Sequence, residues 1–301
     1  MAELVLLSLA MTGCAVSQKH AASQNAIRSA LDADQTQLVD AYNRQAESVR
    51  TLNASVQMSP TAGSAYSGVI HEYHQVSGFL LGARPAMIRV IGQAPVVGTN
   101  IFDMVSDGET FRVFIPSKNE FLVGPTHLER ATKNPIENLR PQHLLDAFFW
   151  IPIGTDDPVV LEQVDVPQSR YYVLSALRGS GPQLEIARKI WFDRSDLRVS
   201  RLQIYGPGGR LDSDISYADW QSVPASTQET GTPGTPAEKA VARLTFPRTI
   251  RVARPQQDYQ LSLTITKLTV NIEIPADRFK LMQPPGTELV NVEAGQQEPQ
   301  P

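Results

Sequence analysis

One segment of the sequence resembles a metal-binding motif, because His71, Glu72 and His74 lie close together. In the helix of a zinc peptidase, two histidines are four positions apart so that both rings face the ion, and a glutamate between them acts as the base. Here the histidines are three positions apart. They also lie in a stretch with the pattern of a strand, where such residues point to opposite faces of a sheet. We therefore interpret them as surface histidines and predict no metal site.

The other polar clusters do not form a catalytic arrangement. The carboxylates Asp156, Asp157, Asp212 and Asp214 stand beside turn-forming residues, where solvated loop positions are the ordinary explanation. The sequence contains neither a phosphate-binding glycine loop nor a Gly-x-Ser-x-Gly nucleophile motif. A net charge of -4 provides no basic field for nucleic acid. The sequence thus predicts a protein that is not an enzyme, needs no cofactor and binds no nucleic acid.

Cys14 is the single cysteine of the chain and follows an apolar run at residues 4–11. The run is too short to cross a hydrocarbon core of about 30 Å as a helix, but it suits the apolar part of a secretory signal peptide. Gly13, directly before Cys14, is similar to the processing signal of bacterial lipoproteins. We expect cleavage after residue 13 and acylation of the thiol. A chance cysteine after a short apolar segment stays open as the alternative, because the first three residues include no basic one.

Changes of composition divide the chain. The residues after Cys14 are small and polar, which indicates a flexible linker. The run 222–239 is rich in Thr, Pro and Gly, which indicates a loop. The predicted organisation is a signal peptide over 1–13, a lipidated linker over 14–35, one domain over 36–290 with a loop insertion at 222–239, and a disordered tail over 291–301.

Two helices are predicted within this domain. Asp34 can cap an amphipathic helix over residues 36–52, where apolar side chains recur at helical spacing. A second helix is predicted over 141–150, because Pro141 suits a first turn. Its apolar residues, among them Phe148, Phe149 and Trp150, require a buried position.

Alternation of apolar and polar residues predicts that the rest of the domain is made of strands. The predicted strands are 54–58, 69–81, 86–92, 100–105, 110–115, 120–123, 172–177, 183–193, 198–205, 211–220, 242–246, 249–253 and 260–274. The last of them changes the phase of its alternation near Lys267. This change predicts a β-bulge, which inserts one extra residue.

The strongest hairpin signal is Asp107-Gly108, which fits a two-residue turn between two alternating runs. The predicted register places two apolar pairs on one face and a charged pair on the other: Phe102 with Val113, Met104 with Phe111, and Asp103 with Arg112. One face of this hairpin is therefore expected to be wholly apolar.

The order of these segments resembles that of a known family. Arg84 and Pro85 follow a strand that contains Gly78, and Val-Ser-Asp-Gly-Glu-Thr at 105–110 is similar to the Ser-Asp-Gly-Lys-Thr turn of that family. Downstream, Ile-Trp-Phe-Asp at 190–193 and the ending at 279–286 fit its later strands. Over residues 36–290 the chain resembles the LolA/LolB-like superfamily of outer-membrane lipoprotein carriers, acceptors and lipoprotein-sorting proteins.

The resemblance implies a mainly β fold, an open antiparallel β half-barrel in which a few short helices cover a hydrophobic cavity for acyl chains. Arg84 matches the arginine tied to cavity closure in carriers, which implies hydrogen bonds to a helix backbone across the cavity mouth. An exposed arginine held extended by the following proline is the alternative. The candidate cavity-lining residues are Phe102, Met104, Phe111, Val113, Phe148, Phe149, Trp150 and Trp191. For the aromatic block 148–150 and for Trp191, ordinary core packing is the alternative.

These inferences lead to one functional hypothesis with two alternatives. We expect a lipid-anchored lipoprotein that faces the periplasm, binds acyl chains of lipoproteins or other lipids, and takes part in lipoprotein sorting with a periplasmic or outer-membrane protein partner. Because Ala15 rather than Asp follows Cys14, the resemblance to sorting signals implies the outer membrane, with the inner membrane left open. The first alternative is a structural or sensory module with a filled core that binds a protein partner. The weaker one is a hydrolase.

Overall fold

The computed structural model describes residues 29–63, 71–72, 74–126, 141–224 and 243–292. The predicted signal peptide, Cys14, most of the predicted insertion at 222–239 and the tail from residue 293 lie outside the described residues. The described part contains two α-helices, α1 (Gln35–Ser48) and α2 (Pro141–Phe148). Short 3-10 turns occur at Pro116–Lys118, Gly181–Gln183, Pro207–Gly209, Pro255–Gln257 and Ala276–Phe279.

Strands make up most of the described chain, and all of them belong to one sheet. The strands are β1 (Thr51–Ala62), β2 (His71–Glu72), β3 (Val76–Ala83), β4 (Met87–Gln93), β5 (Asn100–Ser106), β6 (Thr110–Ile115), β7 (Glu120–Pro125), β8 (Val159–Val166), β9 (Ser169–Arg178), β10 (Glu185–Asp193), β11 (Arg198–Tyr205), β12 (Leu211–Pro224), β13 (Arg243–Arg254), β14 (Tyr259–Val270) and β15 (Glu288–Asn291).

The sheet runs in the order β15-β7-β6-β5-β4-β3-β1-β14-β13-β12-β11-β10-β9-β8, with β2 paired to β1 beside this path. Neighbouring strands are antiparallel except β15 and β7, which are parallel. The two edge strands of the sheet, β15 and β8, do not pair with each other, so that the sheet is not closed. The sheet is therefore an open β half-barrel, as predicted, and the central strand β1 joins its two halves.

Helix α1 forms where the sequence predicts it. The Asp34 carboxylate accepts a hydrogen bond from the Gln37 backbone N at 2.8 Å, and the Gln37 side chain accepts one from the Asp34 backbone N at 3.0 Å, which completes a capping box. Leu38, Tyr42 and Ala46 repeat every four residues and are buried. One face of α1 therefore packs on the sheet.

Both helices pack on the same face of the sheet, which we call the inner face. Alternate residues of β1 are buried there, and the same row continues across its neighbours. One such row crosses five strands through Ala54, Leu80, Val90, Met104 and Val113. The core of the protein lies between this face and the helices.

The bulge predicted near Lys267 is confirmed. Ser55 pairs with Lys267, whereas the next residue of β1, Val56, pairs with Ile265. Thr266 is therefore the extra residue. Before the bulge the odd-numbered residues of β14 face the core, and after it the even-numbered residues do so. The bulge lets a single strand keep an apolar inner side along its whole length.

The register predicted for the Asp107-Gly108 hairpin is wrong. Each residue of β5 lies opposite a residue of β6 that is two positions later in the chain than predicted. Met104 lies opposite Val113 and Val105 opposite Arg112. The Asp107 backbone N donates to the Thr110 carbonyl at 3.3 Å, and the Asp107 carboxylate accepts from the Thr110 backbone N at 2.8 Å. These bonds move the turn one residue along the chain. Because the shift keeps the parity, Met104 and Val113 still share the inner face.

The pairing of Asp103 with Arg112 is accordingly not formed. Asp103 lies opposite Phe114 in the hairpin. Its carboxylate instead receives two hydrogen bonds from Arg89 of β4, at 3.0 and 2.7 Å. The cross-strand register, which local sequence does not specify, selects this partner.

Other elements also differ from the prediction. The segments 242–246 and 249–253, predicted as two strands, form one continuous strand, β13, and β8 and β15 were not predicted. At the N-terminal side, the end of the expected linker contacts the sheet. The Leu31 backbone N donates to the Arg194 carbonyl at 2.7 Å, and the Asp32 carboxylate pairs with Arg194 at 2.8 Å.

Candidate functional site

The candidate site is the inner face of the half-barrel together with the elements that cover it. We call these elements the cover: α1, α2 and the segment 149–153 that follows α2. Their apolar side chains join those of the sheet in one buried cluster. The polar contacts that hold the cover form two groups, one around Arg84 and one around Tyr42.

Arg84 connects the sheet to two parts of the cover. It follows β3 directly, and its guanidinium donates to the carbonyls of Val49 at 2.9 Å, Ala46 at 2.6 Å and Trp150 at 2.8 Å. Ala46 is in the last turn of α1, whose terminal carbonyls have no partner inside the helix. Burial lowers the pKa of Arg84 from its ordinary value, but an arginine stays charged throughout the accessible pH range. A single cation thus holds the end of α1 and the segment after α2 together.

Phe149 lies under the same guanidinium, with its ring centre 5.4 Å from the Arg84 Cζ. The ring also approaches β3 closely. A Cβ added at Gly82 would lie 2.6 Å from the Phe149 ring, a distance at which atoms overlap. Gly82 therefore provides the space that lets the cover lie against the sheet.

Trp150 is the centre of an aromatic cluster. Its ring stacks on Tyr42 of α1 at 5.3 Å, and it meets the Tyr217 ring of β12 edge-on at 5.2 Å. The Trp150 Nε1 donates to the Tyr217 hydroxyl at 2.8 Å, and that hydroxyl donates to the Ala147 carbonyl at 3.2 Å. Burial raises the pKa of Tyr217 well above its ordinary value. The cluster therefore stays neutral and hydrogen-bonded at physiological pH.

A second set of hydrogen bonds fixes the end of the cover. The Asn43 side chain donates to the Ile153 carbonyl at 2.9 Å and accepts from the Ile153 backbone N at 2.8 Å. The Tyr42 hydroxyl donates to the Ile151 carbonyl at 3.1 Å, and Arg188 of β10 donates to the same carbonyl. Most of these acceptors are backbone carbonyls, which water can satisfy equally well when the segment moves away.

The cover packs closely on the inner face around Phe148 and Trp150. A cavity bordered by Val49, Phe148, Trp150 and Phe246 has a volume of about 10 Å³. That volume is at the lower limit for a single water molecule. At this place the side chains of the cover occupy the space over the sheet, and we call this arrangement the closed form.

Seven of the eight predicted cavity-lining residues lie on the inner face or in the cover, and six of them, all except Phe111, belong to one apolar cluster. Phe102, Met104 and Phe111 are buried on the inner face, and Val113 packs partly buried beside them. The aromatic residues Phe148, Phe149 and Trp150 belong to the cover and are buried against that face.

Trp191 does not belong to this group. Its neighbours in β10, Ile190 and Phe192, are buried in the core, so that Trp191 points to the opposite face of the sheet. There it packs edge-on against Tyr171 at 5.6 Å and donates to Gln203 at 3.1 Å. The prediction that Trp191 lines the cavity is therefore wrong, because strand alternation places it outside.

Sequence reasoning missed four residues of the site: Tyr42, Asn43, Arg188 and Tyr217. Tyr42 and Asn43 are neighbours on α1, and the four-residue spacing of Leu38, Tyr42 and Ala46 could have identified the first as inward-facing. Arg188 and Tyr217 lie far along the chain from the cover. Only the strand order brings them to it.

Comparisons with known proteins found several similar solved structures. The chain is similar to a LolA superfamily protein from Nitrosomonas europaea, at 14% identity and a TM-score of 0.46, over 81% of this chain and 97% of that one. It is also similar to a DUF1329 family protein from Desulfovibrio piger, at 13% identity and a TM-score of 0.48, over 80% and 94% of the two chains.

A third similar structure is a domain from Vibrio parahaemolyticus described as an outer membrane lipoprotein-sorting protein. The identity is 11% and the TM-score 0.44, over 80% of this chain and 94% of that one. No family model and no curated protein matches the sequence. These similarities concern the fold.

The described residues contain neither a cluster of metal ligands nor a helix suited to span a membrane. Within the described residues, no group of three or more His, Cys, Asp or Glu side chains could hold a metal ion. In the same part of the chain, no helix combines the length and apolar character needed to cross a membrane.

Asp146, on the polar side of α2, makes the stability of the cover depend on pH. Burial raises the pKa of Asp146 to about 6, although the positive charges of Arg254 and Arg188 act in the opposite direction. The folded chain therefore holds a proton at Asp146 that the unfolded chain has already lost above about pH 4. As the pH rises from about 4 to about 6, this group lowers the free energy of unfolding, and above that range its effect is constant.

We expect the Asp146→Asn variant to be more stable than the wild type at pH 7, by about 1–2 kcal/mol, because the amide imitates the neutral acid. At pH 4 the two proteins should be equally stable. Urea unfolding between pH 4 and pH 8 measures the difference, and Asp40→Asn, at an exposed position of α1, is the control. A difference between Asp146→Asn and the wild type that does not vary with pH would contradict the assignment.

Proposed function

We propose that this chain is a lipid-anchored lipoprotein, facing the periplasm, that binds the acyl chains of lipoproteins or other lipids on the inner face of its half-barrel. The observation that carries the proposal is the attachment of the cover. A largely apolar face is closed by the cover, and Arg84 holds the end of α1 and the segment after α2 there through the carbonyls of Ala46, Val49 and Trp150.

The energetics of the closed form support an exchange of the cover for lipid. Moving the cover would expose buried apolar surface such as Phe148 and Leu144, which is unfavourable in water. Acyl chains can cover the same surface, and each methylene that leaves water contributes about 0.8 kcal/mol. The hydrogen bonds lost by the cover carbonyls are replaced by bonds to water. No nucleotide hydrolysis is needed, because one apolar covering replaces another.

A direct test uses the full chain with Cys14→Ser, so that no anchor is attached. A fluorescent long-chain fatty acid is expected to bind saturably, and native mass spectrometry of protein purified from cells is expected to detect bound lipid. A fatty acid with a photoreactive group in its chain should label peptides from residues 141–153 and from the inner side of β3 to β6. If no lipid co-purifies and no saturable binding is found, the proposal fails.

A second candidate is a structural or sensory module with a filled core that binds a protein partner. The cavity of about 10 Å³ under the cover supports it. The two candidates differ in what the cover does. A lipid binder must release the cover when lipid is added, which would expose the amides of 149–153 to hydrogen exchange, whereas a module with a permanent core would keep them protected.

The tip of the β4–β5 hairpin is suited to contact with a membrane. Val96 and Val97 are exposed there, at 105% and 71% of their reference surface. Val96 also has a φ of 74°, a left-handed conformation that is costly for a β-branched residue. Hydrogen bonds close the tip, from Gly98 N to the Ala94 carbonyl at 3.0 Å and from Ala94 N to the Thr99 carbonyl at 2.9 Å. The two valines thus form an apolar point on an ordered hairpin.

We expect the paired change Val96→Asp and Val97→Asp to weaken binding of the Cys14→Ser chain to phosphatidylethanolamine and phosphatidylglycerol vesicles by about tenfold, because two charges would enter the interface. Thermal stability should change little, since both side chains are exposed. Vesicle sedimentation measures the binding, and Val160→Asp, which changes an exposed valine of β8, is the matched control. Equal binding of the tip variant and the control would exclude a role for the tip.

The anchor at Cys14 is a separate part of the proposal. Metabolic labelling with palmitate is expected to mark the wild-type chain and to vanish in Cys14→Ser. Membrane fractionation of the wild type then locates the anchored protein, with the outer membrane expected. Label that persists after the change would show that the lipid, if any, is attached elsewhere.

A further inference from the structure

A groove of about 400 Å³ lies on the outer face of the sheet, on the side opposite the cover. Its volume is within the range typical of small-molecule sites, roughly 300–1,000 Å³. The bulge at Thr266 helps to form this groove, because it turns Lys267 and Thr269 to the outer face. Bulges commonly serve to redirect a side chain in this way.

Two rows of side chains cross four strands to form the floor. The first row runs from β14 to β4 through Thr269, Asn53, Leu81 and Arg89, and the second runs through Lys267, Ser55, Phe79 and Ile91. With neighbouring strands about 4.8 Å apart, each row is about 14 Å long. In the second row, the charge is at one end and the apolar side chains are at the other.

The wall of the groove belongs to the segment that follows β14. Arg89, fixed by two hydrogen bonds to Asp103, donates to the Arg278 carbonyl at 2.9 Å. Phe279 is buried with Leu81 and Val105 in a small apolar cluster of its own. The wall is therefore attached to the sheet through both polar and apolar contacts, and the Arg278 side chain lines the groove.

The charges of the groove are unbalanced. None of the nine lining side chains is acidic, and three of them are cations. Arg89 is neutralised by Asp103. For Lys267 and Arg278, in contrast, no ion pair is found within the part of the chain that the structure describes. Phe79, which should be buried if the sheet surface were simply covered, is 46% exposed beside them.

The geometry points to a binding site for an anionic amphiphile with a single apolar chain. Its carboxylate or phosphate head would lie at Lys267, where Ser55, Asn53 and Thr269 provide neutral hydrogen-bond donors. The Arg278 side chain lines the same groove as a second cation. The apolar chain would lie on Phe79 and Ile91. This site is separate from the inner face, and neither site depends on the other.

Equilibrium dialysis of the full Cys14→Ser chain with dodecyl phosphate and with dodecanoate tests the site. Each amphiphile is expected to bind in the groove with a stoichiometry of one molecule per chain. The amphiphile with the lower dissociation constant identifies the preferred head group. Dodecanol and inorganic phosphate should each bind at least about tenfold more weakly, because each lacks one half of the interaction. Binding of inorganic phosphate as strong as that of dodecyl phosphate would overturn the proposal.

Variants locate the binding. Lys267→Gln with Arg278→Gln, and separately Phe79→Ser, should each weaken dodecyl phosphate binding at the groove by about tenfold. Arg251→Gln removes a cation from an exposed position on the outer side of β13 and should change the binding less than twofold. A dodecyl chain with a photoreactive group should label peptides that contain Phe79 and Ile91.

The same labelling separates this site from the inner face. Label confined to residues 141–153, together with unchanged affinity in the groove variants, would overturn the groove site and leave the inner-face proposal standing. Label confined to the groove would overturn the inner-face proposal and leave the groove site standing.

Discussion

Replacing Arg84 with methionine is expected to lower the free energy of unfolding by about 3 kcal/mol. The arginine donates to the carbonyls of Ala46, Val49 and Trp150, and hydrogen bonds from a charged donor contribute about 1.5–3 kcal/mol each, although their effects do not add fully. Methionine has a similar length and fills similar space, so that the change removes the donors more than the packing. Urea unfolding followed by circular dichroism measures the loss.

Two control variants define what Arg84 does. Arg50→Met alters an exposed arginine on the short connection between α1 and β1 and should cost less than about 0.5 kcal/mol. Arg84→Lys keeps the charge but not the planar fork of donors, so that its stability should lie between those of the wild type and Arg84→Met. If Arg84→Met were as stable as Arg50→Met, the three hydrogen bonds would contribute nothing to closure.

Under the proposed function, Arg84→Met has an opposite effect on binding. The hydrogen bonds of Arg84 exist only when the cover is closed, so that their loss raises the fraction of molecules that can accept lipid. The apparent affinity for a lipid rises in proportion to that fraction. A tighter complex with the fluorescent fatty acid is therefore expected from a less stable protein. Weaker binding would show that Arg84 contacts the ligand or shapes its site.

Replacing Trp150 with alanine should have the largest effect on stability, about 3–5 kcal/mol, because a large buried aromatic side chain is removed from the core. Trp150 is 5% exposed and stacks on Tyr42. Its loss also leaves the Tyr217 hydroxyl without the Nε1 donor at 2.8 Å. Chemical denaturation measures the effect, and near-ultraviolet circular dichroism should show the loss of the stacked pair.

Trp191 provides the matched control, since it is also a tryptophan of the domain but lies on the outer face. Trp191→Ala removes a contact with Tyr171 and a hydrogen bond to Gln203 at 3.1 Å, and it should cost about 1 kcal/mol. Equal destabilisation by the two changes would contradict the assignment of Trp150 to the core and Trp191 to the outer surface.

Local pattern was sufficient for most strands and for both helices. Asp34 with Gln37 marks the start of α1, and the phase change near Lys267 correctly located the bulge between β1 and β14. These features depend on residues a few positions apart, and the physical rules for caps and bulges act at that range. Arg84, which the resemblance to carriers indicated, donates to backbone carbonyls of α1 and of the segment after α2, and its role in closing a cavity stays a prediction.

Pairing between distant strands was beyond local pattern. Strand β15 has only four residues and pairs in parallel with β7, far away in the chain, so that no nearby turn indicates it. Residues 242–246 and 249–253 were predicted as two strands, yet β13 is continuous because β12 pairs with it on both sides of Pro247. The predicted hairpin register placed Asp103 opposite Arg112, whereas in the structure the Asp103 carboxylate accepts hydrogen bonds from Arg89 of β4.

By itself, the sequence determined the alternation of strands, the apolar character of one face of each, and the amphipathic helices, since these follow from periodicity along the chain. The tertiary structure alone decided which residues meet. It placed Trp150 in the cover and Trp191 on the outer face, joined Arg84 to carbonyls of two separate elements, and put Lys267 and Arg278 in one groove with Phe79 and Ile91. The reason is physical: the strand order and the register set distances between residues that no local interaction connects.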